Sequence, residues 1–280
     1  MSNRIAFQGE PGAYSHQACV ETYPGMEPLP CRTFEDAIAA VREGRADLAM
    51  LPVENSTFGR VADIHHLLPE SGLHIVGEAF VRVHINLLAL PGVRLDQIEE
   101  AMSHTMLLGQ CRAFLERHGI HRVTGADTAG SARHVAEAGD PAMAALASEL
   151  AGAIYGLDVI ARHIEDQGTN TTRFLVMARD PDFAERGTNG MMTTLVFRLR
   201  SIPAGLYKAL GGFATNGVNM TKLESYMIGG NFNVVQFYAD IEGHPDDPAV
   251  ARALDELDYF TSDITILGVY PADPRRHTEH

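Results

Sequence analysis

The stretch TFEDAIAAVREGRADLAMLPVENST, residues 33–57, contains one complete helix–strand unit. Thr33 is a residue type that caps helix N-termini, and Gly44 is placed to end the helix. Between them, residues spaced i, i+3, i+4, i+7 form one apolar helix face: Phe34, Ala37, Ile38 and Val41. The compact apolar run 46–53 then predicts a buried strand that ends in the polar sequence Glu54-Asn55-Ser56-Thr57.

The same alternation of apolar strands and amphipathic helices continues on both sides of that unit. A short strand is predicted for residues 5–7, where it enters the glycine-rich turn 9–12. Further strands are predicted at 73–76, 83–90 and 142–147, and further helices at 106–119, 128–139 and 148–156. Strands that alternate with helices are typical of an α/β fold with largely parallel pairing.

The order of predicted strands and helices changes after a polar linker near residues 180–190. Leu195, Phe197 and Leu199 alternate with other residues, as in a strand with one covered face. A helical stripe ending at Gly217, a hairpin over 218–241, a second helical stripe and a last strand complete the order βαββαβ. This order predicts a ferredoxin-like module of roughly eighty residues. The polar residues that follow Pro271 are predicted to be loose.

Composition and charge limit the number of domains, the partners and the cellular compartment that the sequence allows. The 280 residues are about twice the ~100–150 of one domain, which predicts two domains. A net charge of −14 argues against a nucleic-acid partner, since a polyanion-binding surface is basic. No apolar run approaches the ~18–20 residues needed to cross a bilayer, so no membrane partner is expected. Three cysteines without a C-x-x-C pair favour a reduced, cytoplasmic protein.

Hydroxyl and amide side chains gather where the predicted strands end and helices begin. Because helix N-termini carry unpaired N–H groups, they suit carboxylates or phosphates. In an α/β domain that binds ligands at strand ends, the group forms a candidate binding site. Taken singly, each could instead be only a helix cap. The candidates are Ser15, Asn55, Ser56, Thr57, Thr128, Ser131 and Ser148.

A second candidate is the hydroxyl-rich segment DQGTNTTRF, residues 166–174, which enters an apolar strand. Arg173 offers a planar fork for a carboxylate. The alternative is a turn in which Arg173 pairs with a surface acid. His118 and His121 form H-x-x-H, but no third ligand is evident, so no metal site is predicted. The chain contains no G-x-S-x-G, Walker or G-x-G-x-x-G motif, which argues against common serine hydrolases, P-loop nucleotidases and standard dinucleotide enzymes.

Several of these segments resemble motifs of the prephenate dehydratases, in the same order. The opening FQGEPGAYS of residues 7–15 resembles the first loop of that family, and LPVENSTFG of residues 51–59 resembles its P-[IV]-E-N-S segment. Ser103-His104 with Gln110-Cys111, Tyr155-Gly156-Leu157 and the NTTRF of residues 170–174 match three further elements. The resemblance spans nearly the whole chain.

The resemblance implies a catalytic domain of two α/β lobes, similar to periplasmic binding proteins, with the active site in the cleft. It implies conversion of prephenate to phenylpyruvate, CO₂ and water without a cofactor. Carried over, Thr172 is the key catalytic hydroxyl, Arg173 its neighbour that could hold carboxylates, and Glu54 a candidate proton source. The substrate is expected to contact Ser15, Asn55, Ser56, Thr57, Thr128, Ser131, Ser148, Asn170 and Phe174.

The C-terminal module resembles the ACT regulatory domain, which binds phenylalanine at a dimer interface. The family's G-A-L element appears as Ala204-Gly205-Leu206, and its E-S-R-P element as Glu224-Ser225-Tyr226-Met227, without the arginine and proline. The resemblance implies a homodimer or homotetramer with L-phenylalanine as effector. The expected effector-binding residues are Ala204, Gly205, Leu206, Asn216, Glu224 and Ser225. The alternative is a purely structural dimerisation domain.

The expected division is a catalytic domain over 1–183, an ACT domain over 191–272 and a polar tail over 273–280. Arogenate dehydratase is an alternative within the class, because arogenate differs from prephenate only in carrying an amino acid side chain in place of the keto acid. A cytoplasmic amino-acid sensor with the same two-lobed cleft is an alternative from another class. A bifunctional form with chorismate mutase is disfavoured, because no helical extension precedes Ile5.

Overall fold

The computed structural model of the chain describes residues 2–186, 190–228 and 231–277. Residues 187–189 of the predicted linker, the Gly229-Gly230 turn of the predicted hairpin and the tail residues 278–280 lie outside this range. None of the described helices is long and apolar enough to span a membrane. All three cysteines are buried and unpaired.

The first lobe is built from the N-terminal eighty residues. Its elements are β1 (Arg4–Gln8), α1 (Tyr14–Thr22), β2 (Glu27–Cys31), α2 (Phe34–Arg42), β3 (Leu48–Asn55), β4 (Gly59–Arg60), α3 (Ala62–Leu67) and β5 (His74–Arg82). The predicted helix–strand unit is confirmed as α2 and β3. Thr33 caps α2, since its Oγ1 accepts a hydrogen bond from the Asp36 N–H at 3.1 Å. Gly44 follows the helix with a φ of +75°, a value that favours glycine.

The second lobe follows, and the chain then returns to the first. Its elements are β6 (Asn86–Ala89), β7 (Glu100–Ser103), α4 (Thr105–Gln110), α5 (Arg112–His118), β8 (His121–Thr124), α6 (Thr128–Ala138), β9 (Met143–Ala147), α7 (Glu149–Tyr155) and β10 (Asp158–Ala161). The returning strand is β11 (Thr171–Ala178). The cap of α6 is Asp127 rather than the predicted Thr128, because the Asp127 carboxylate accepts from the Gly130 N–H at 2.6 Å.

The two lobes have mixed sheets, which corrects the prediction of largely parallel pairing. In the first lobe the strand order is β2-β1-β3-β11-β5, and β11 is antiparallel to both neighbours. In the second lobe the order is β10-β6-β9-β7-β8, and β6 is antiparallel to both neighbours. Both exceptions arise where the chain crosses between lobes, since the strand then enters its sheet without a crossover helix.

The C-terminal elements run in the predicted order βαββαβ. They are β12 (Met191–Leu199), α8 (Gly205–Thr215), β13 (Met220–Ile228), β14 (Asn231–Glu242), α9 (Pro248–Phe260) and β15 (Thr261–Pro271). The strand order is β13-β14-β12-β15, and the two helices pack over an apolar cluster that includes Leu195, Phe197 and Phe237. Strand β15 also pairs in parallel with β5, so this sheet is continuous with that of the first lobe.

Gly268 is where the two sheets meet, opposite Ile75 of β5. A Cβ at this position would lie 2.2 Å from the Ile75 carbonyl oxygen and 2.5 Å from its Cβ. We therefore expect Gly268→Ala to lower the free energy of unfolding by about 1–3 kcal/mol, because the backbones must separate. Denaturant titration measures this loss.

Gly211 of α8 supplies the matched control for that substitution, since a Cβ there meets nothing within 4 Å. Gly211→Ala is expected to leave stability unchanged or raise it by up to about 1 kcal/mol. Equal losses in both variants would contradict the steric explanation at Gly268.

The start of the predicted polar tail is anchored rather than loose. The Asp273 N–H donates to Glu78 Oε1 at 3.1 Å, and Arg276 Nε donates to the same oxygen at 2.8 Å. The Arg276 guanidinium also lies over the Phe80 ring, 5.6 Å from its centroid. Since the Glu78 side chain is fully buried, these contacts give its charge the partner it needs.

Candidate active site

A cavity of about 890 Å³ lies between the two lobes. It lies at the strand end predicted for ligand binding, since its lining includes Gln8 at the end of β1 and Asn55 at the end of β3. From the second lobe it is lined by His104 and Thr128, which begin α4 and α6. Its size suits a small organic acid.

Thr172 faces this cavity and is held by two asparagines. Asn55 Nδ2 donates to Thr172 Oγ1 at 2.9 Å and to Asn170 Oδ1 at 2.6 Å. Asn170 Nδ2 in turn donates to Gln110 Oε1 at 2.9 Å, which ties the arrangement to the second lobe. Because Thr172 Oγ1 accepts from Asn55, its own O–H proton is left to point at a bound molecule.

Five of the predicted site residues meet at the cavity. They are Ser15, Asn55, Thr128, Asn170 and Thr172. Ser15 lies in the first turn of α1 and is buried, and Thr128 is the first residue of α6. The cavity therefore combines hydroxyl groups with two helix N-termini, an arrangement that suits a carboxylate.

Four other predicted polar residues shape the cavity without lining it. Ser56 Oγ donates to the Thr169 carbonyl at 2.8 Å, and Ser131 Oγ donates to the Asp127 carbonyl at 2.6 Å. Ser148 caps α7 and donates to the Gly12 carbonyl at 2.6 Å, so it joins the second lobe to the first loop. Thr57 is exposed, and its backbone N–H donates to Asn55 Oδ1 at 3.0 Å.

Arg173 and Phe174 do not reach the cavity, and this corrects the interpretation carried over from the resemblance. Successive residues of a strand point to opposite faces of the sheet, so Arg173 points away from Thr172. Its side chain is only 4% exposed. The guanidinium donates from Nε to Glu78 Oε2 at 2.8 Å, from Nη1 to Asp240 and from Nη2 to the Tyr270 hydroxyl at 3.1 Å. Phe174 is buried in the apolar core of the first lobe.

Arg173 therefore joins the first lobe to the C-terminal sheet. Asp240 lies in β14 and also accepts from the Thr194 hydroxyl at 2.6 Å, while Tyr270 lies in β15. Burial raises the pKa of Asp240, but Arg173 and the Thr194 hydroxyl lower it by more, so the pKa lies below its ordinary value.

This shift predicts an acid limit to stability. The folded pKa of Asp240 is below the unfolded value of about 3.9. The stabilisation by its ionised form is thus fully present above pH ~4 and is lost as the pH falls through the folded value. We expect the unfolding free energy to fall as the pH is lowered below about 4, measured by urea titration. The fall should be smaller in Asp240→Asn, and equal slopes would contradict this assignment.

Glu54 lies beside the cavity and pairs with the C-terminal sheet. Its carboxylate lies 3.0 Å from Lys222 Nζ and 3.8 Å from Arg173 Nη1. In the pairing of β3 with β11, Glu54 lies opposite Arg173, the residue that follows Thr172. The structure thus places Glu54 as a link between domains, not in the cavity lining.

The cavity is also lined by two arginines that the sequence patterns missed, Arg32 and Arg60. His104 lines it as well, and the sequence had placed this residue in a family motif without giving it a role. Arg32 forms no ion pair with any residue in the described part of the chain, so its charge is open to a bound anion. It follows Cys31 at the end of β2, and this position at a strand end was the signal that could have identified it. Arg60 belongs to the two-residue strand β4, which no pattern predicted.

The expected effector residues lie on two elements of the C-terminal domain. Ala204, with a φ of +56°, precedes α8, which begins with Gly205 and Leu206. Asn216 ends that helix and donates to Glu256 Oε1 at 2.9 Å. Glu224 and Ser225 lie on β13 and contact Arg60 of the first lobe. Within the described residues no group of three or more histidine, cysteine or acidic side chains could hold a metal ion.

Comparison with known proteins agrees with this geometry. The family model described as "Prephenate dehydratase" matches residues 5–182. A protein of Komagataeibacter europaeus named "Bifunctional N-acyl-homoserine lactone acylase/prephenate dehydratase" is 52% identical over 97% of both chains. "Arogenate dehydratase/prephenate dehydratase 1, chloroplastic" of Arabidopsis thaliana is 39% identical over 96% of this chain and 72% of its own length.

A solved structure extends the similarity to the whole fold. Prephenate dehydratase in complex with L-Phe from Arthrobacter aurescens has a TM-score of 0.87 and 33% identity, covering 96% of this chain and 89% of that one. The matched region of the family model contains every cavity residue named above, and both curated relatives extend through the C-terminal domain. From its sequence, its two-lobed cleft and these relatives, the chain belongs to the prephenate dehydratase family.

Proposed function

We propose that this chain is a prephenate dehydratase, which converts prephenate to phenylpyruvate, CO₂ and water. The observation that carries the proposal is the Thr172 hydroxyl, which Asn55 holds at the wall of an anion-suited cavity. Prephenate is a dianion, and loss of its ring carboxylate and ring hydroxyl yields an aromatic ring. Because aromatisation drives the reaction, no cofactor is needed.

The cavity residues divide the work of this reaction. Thr172 donates its proton toward the leaving hydroxyl, as CO₂ departs and the electron pair of the broken C–C bond enters the ring. Arg32 and Arg60 take the role that the resemblance gave to Arg173 and hold the carboxylates, aided by the N-termini of α1 and α6. Positioning of the dianion beside the hydroxyl supplies most of the rate acceleration.

Arogenate is a second candidate substrate within the same chemistry. It carries an ammonium group where prephenate carries a keto group, and the carboxylate-bearing residues Glu10 and Asp127 also line the cavity. The name of the Arabidopsis relative includes both dehydratase activities. Prephenate remains the first candidate, because Glu10 already lies 3.6 Å from Arg133 and Asp127 caps α6.

Hydrolysis of N-acyl-homoserine lactones is a second candidate function, favoured by one feature of the cavity. Its lining includes the apolar side chains Phe58, Val61, Val83, Met106 and Leu107, which could contact an acyl chain. The name of the Komagataeibacter relative includes this activity. Among the described cavity residues, however, no hydroxyl is hydrogen-bonded to a histidine, so the usual activated nucleophile is not formed.

In the deciding experiment, the purified protein is assayed separately with prephenate, with arogenate and with an N-acyl-homoserine lactone. Phenylpyruvate formed from prephenate supports the proposal. Phenylalanine formed only from arogenate would make arogenate the substrate, with the same mechanism. Acyl-chain release alone would place the protein with the acylases. A folded protein that turns over none of the three, but binds amino acids, would instead be the two-lobed sensor.

For the whole chain we propose a catalytic domain over 1–183, arranged like a periplasmic binding protein, and an ACT domain over 191–272. The support for the second is the observed order βαββαβ and the L-Phe complex of the Arthrobacter relative. L-Phenylalanine is the proposed inhibitor, acting on a cytoplasmic homodimer or homotetramer. Inhibition of phenylpyruvate formation by added L-phenylalanine tests the effector, and its absence favours a structural role for the domain.

A further inference from the structure

Arg60 connects the cavity to the element expected to bind the effector. Its side chain lines the cavity and is 42% exposed. Its Nη1 donates to the Ser225 carbonyl at 3.3 Å and lies 3.6 Å from Glu224 Oε2. Ser225 and Glu224 belong to β13 of the C-terminal domain. One guanidinium therefore faces both the substrate site and the regulatory domain.

A second ion pair joins β13 to β3, the strand that pairs with β4. Lys222 of β13 is nearly buried, and its Nζ lies 3.0 Å from Glu54 Oε1 and 3.5 Å from Glu224 Oε1. Glu54 and Arg60 are paired across β3 and β4, so both contacts belong to one small cluster. Among the described residues, Glu224 is the acid whose carboxylate lies within 4 Å of the Arg60 guanidinium, so it most directly offsets the Arg60 charge.

The pairing of Arg60 with Glu224 is loose enough to be exchanged. A 3.6 Å separation between half-exposed groups is longer than a charge-assisted hydrogen bond of about 2.7–2.9 Å. A substrate carboxylate entering the cavity offers the guanidinium a closer partner in a less hydrated place. The guanidinium cannot serve both carboxylates at full strength, so they compete for its charge.

We propose that Arg60 binds the pyruvyl carboxylate of the substrate, which phenylpyruvate retains, and that Glu224 of the C-terminal domain sets its affinity by competing for the same guanidinium. This inference rests on the proposed function for the identity of the substrate. Glu224 acts through Arg60 and is a positioning residue, whereas Arg60 contacts the substrate. Because linkage is reciprocal, an effector that tightens the Arg60–Glu224 pair weakens substrate binding, and substrate in turn weakens that effector.

The test is a double-mutant cycle on prephenate turnover with Arg60→Gln, Glu224→Gln and the two combined. Arg60→Gln is expected to raise KM about 10- to 100-fold, with kcat changed by less than about threefold, because a charge-assisted contact is lost. Glu224→Gln is expected to lower KM about fivefold, because the competing charge is removed. In the Arg60→Gln background, Glu224→Gln should change KM by less than twofold.

Arg94→Gln is the matched control, because Arg94 is an exposed arginine paired with Asp96 that lies outside the cavity. Its KM should equal that of the unmodified protein. The inference is overturned if Arg60→Gln leaves KM unchanged, if Glu224→Gln raises KM, or if the Glu224 effect persists without Arg60.

A binding arm separates this inference from the reaction itself. Phenylpyruvate is titrated calorimetrically into the unmodified protein and the same variants, which requires no turnover. If no substrate is converted, yet Arg60→Gln weakens phenylpyruvate binding at least 10-fold and Glu224→Gln tightens it, the dehydratase proposal fails and the Arg60 inference stands. If phenylpyruvate binding is absent or insensitive to both substitutions, the Arg60 inference fails.

Discussion

Thr172→Ala is expected to lower kcat for prephenate by about 100- to 1,000-fold and to change KM by no more than a few-fold. The hydroxyl is the group that Asn55 holds toward the cavity, and its donated hydrogen bond strengthens as the leaving hydroxyl gains negative charge. Loss of one such preorganised donor typically costs this much in kcat. Because the carboxylates are held by other residues, ground-state binding survives. Steady-state phenylpyruvate formation measures both constants.

Two neighbouring variants make that result specific. Thr172→Ser keeps a hydroxyl at the same place and is expected to retain activity within about 10-fold. Thr171→Ala removes a hydroxyl from the other face of the strand, where Oγ1 accepts from Arg82 at 3.3 Å, and is expected to act on stability rather than kcat. A Thr172→Ala enzyme with near-normal kcat would show that the Thr172 hydroxyl takes no part in the chemical step.

Local sequence rules predicted the elements that carry this site. The Thr33 cap, the apolar face of α2 and the change of rhythm near residue 190 are all short-range signals, and each is confirmed. Polar residues at strand ends and helix starts, such as Asn55 and Ser15, were found because an α/β domain binds ligands where its strands end. Cap positions were less secure, because Asp127 and Thr128 are adjacent and both residue types can cap.

What the sequence could not predict depends on contacts between distant segments. The direction of β11 is set by the return of the chain from the second lobe, and no local pattern encodes it. Arg60 contacts Ser225 and Glu224 only because β13 lies beside β4, although Ser225 is 165 positions away from Arg60 in the chain. The face on which Arg173 lies follows from strand alternation once Thr172 is placed, but a motif shared with a family does not distinguish a contact with substrate from a contact with structure.

Replacing Arg173 by methionine is therefore expected to act on stability. The substitution leaves the fully buried Asp240 carboxylate without its main cationic partner, while Glu78 keeps Arg276. Removing one partner of a buried ion pair typically costs about 3–5 kcal/mol. We expect a loss of this size in the free energy of unfolding by urea titration. For the folded fraction, KM for prephenate should change by no more than a few-fold, since Arg173 does not line the cavity.

The matched control and a rescue variant decide between this structural role and the catalytic role that the family motif implied. Arg179→Met removes an exposed arginine that lies 3.9 Å from Asp180, and it should change stability by no more than about 0.5 kcal/mol. Adding Asp240→Asn to Arg173→Met removes the unpaired charge and should restore much of the lost stability. A stable Arg173→Met protein with KM for prephenate raised 100-fold would instead indicate that Arg173 contacts the substrate in the cleft. The guanidinium would then have to leave Glu78, Asp240 and Tyr270 whenever substrate binds, and the link between the first lobe and the C-terminal sheet would break at each turnover.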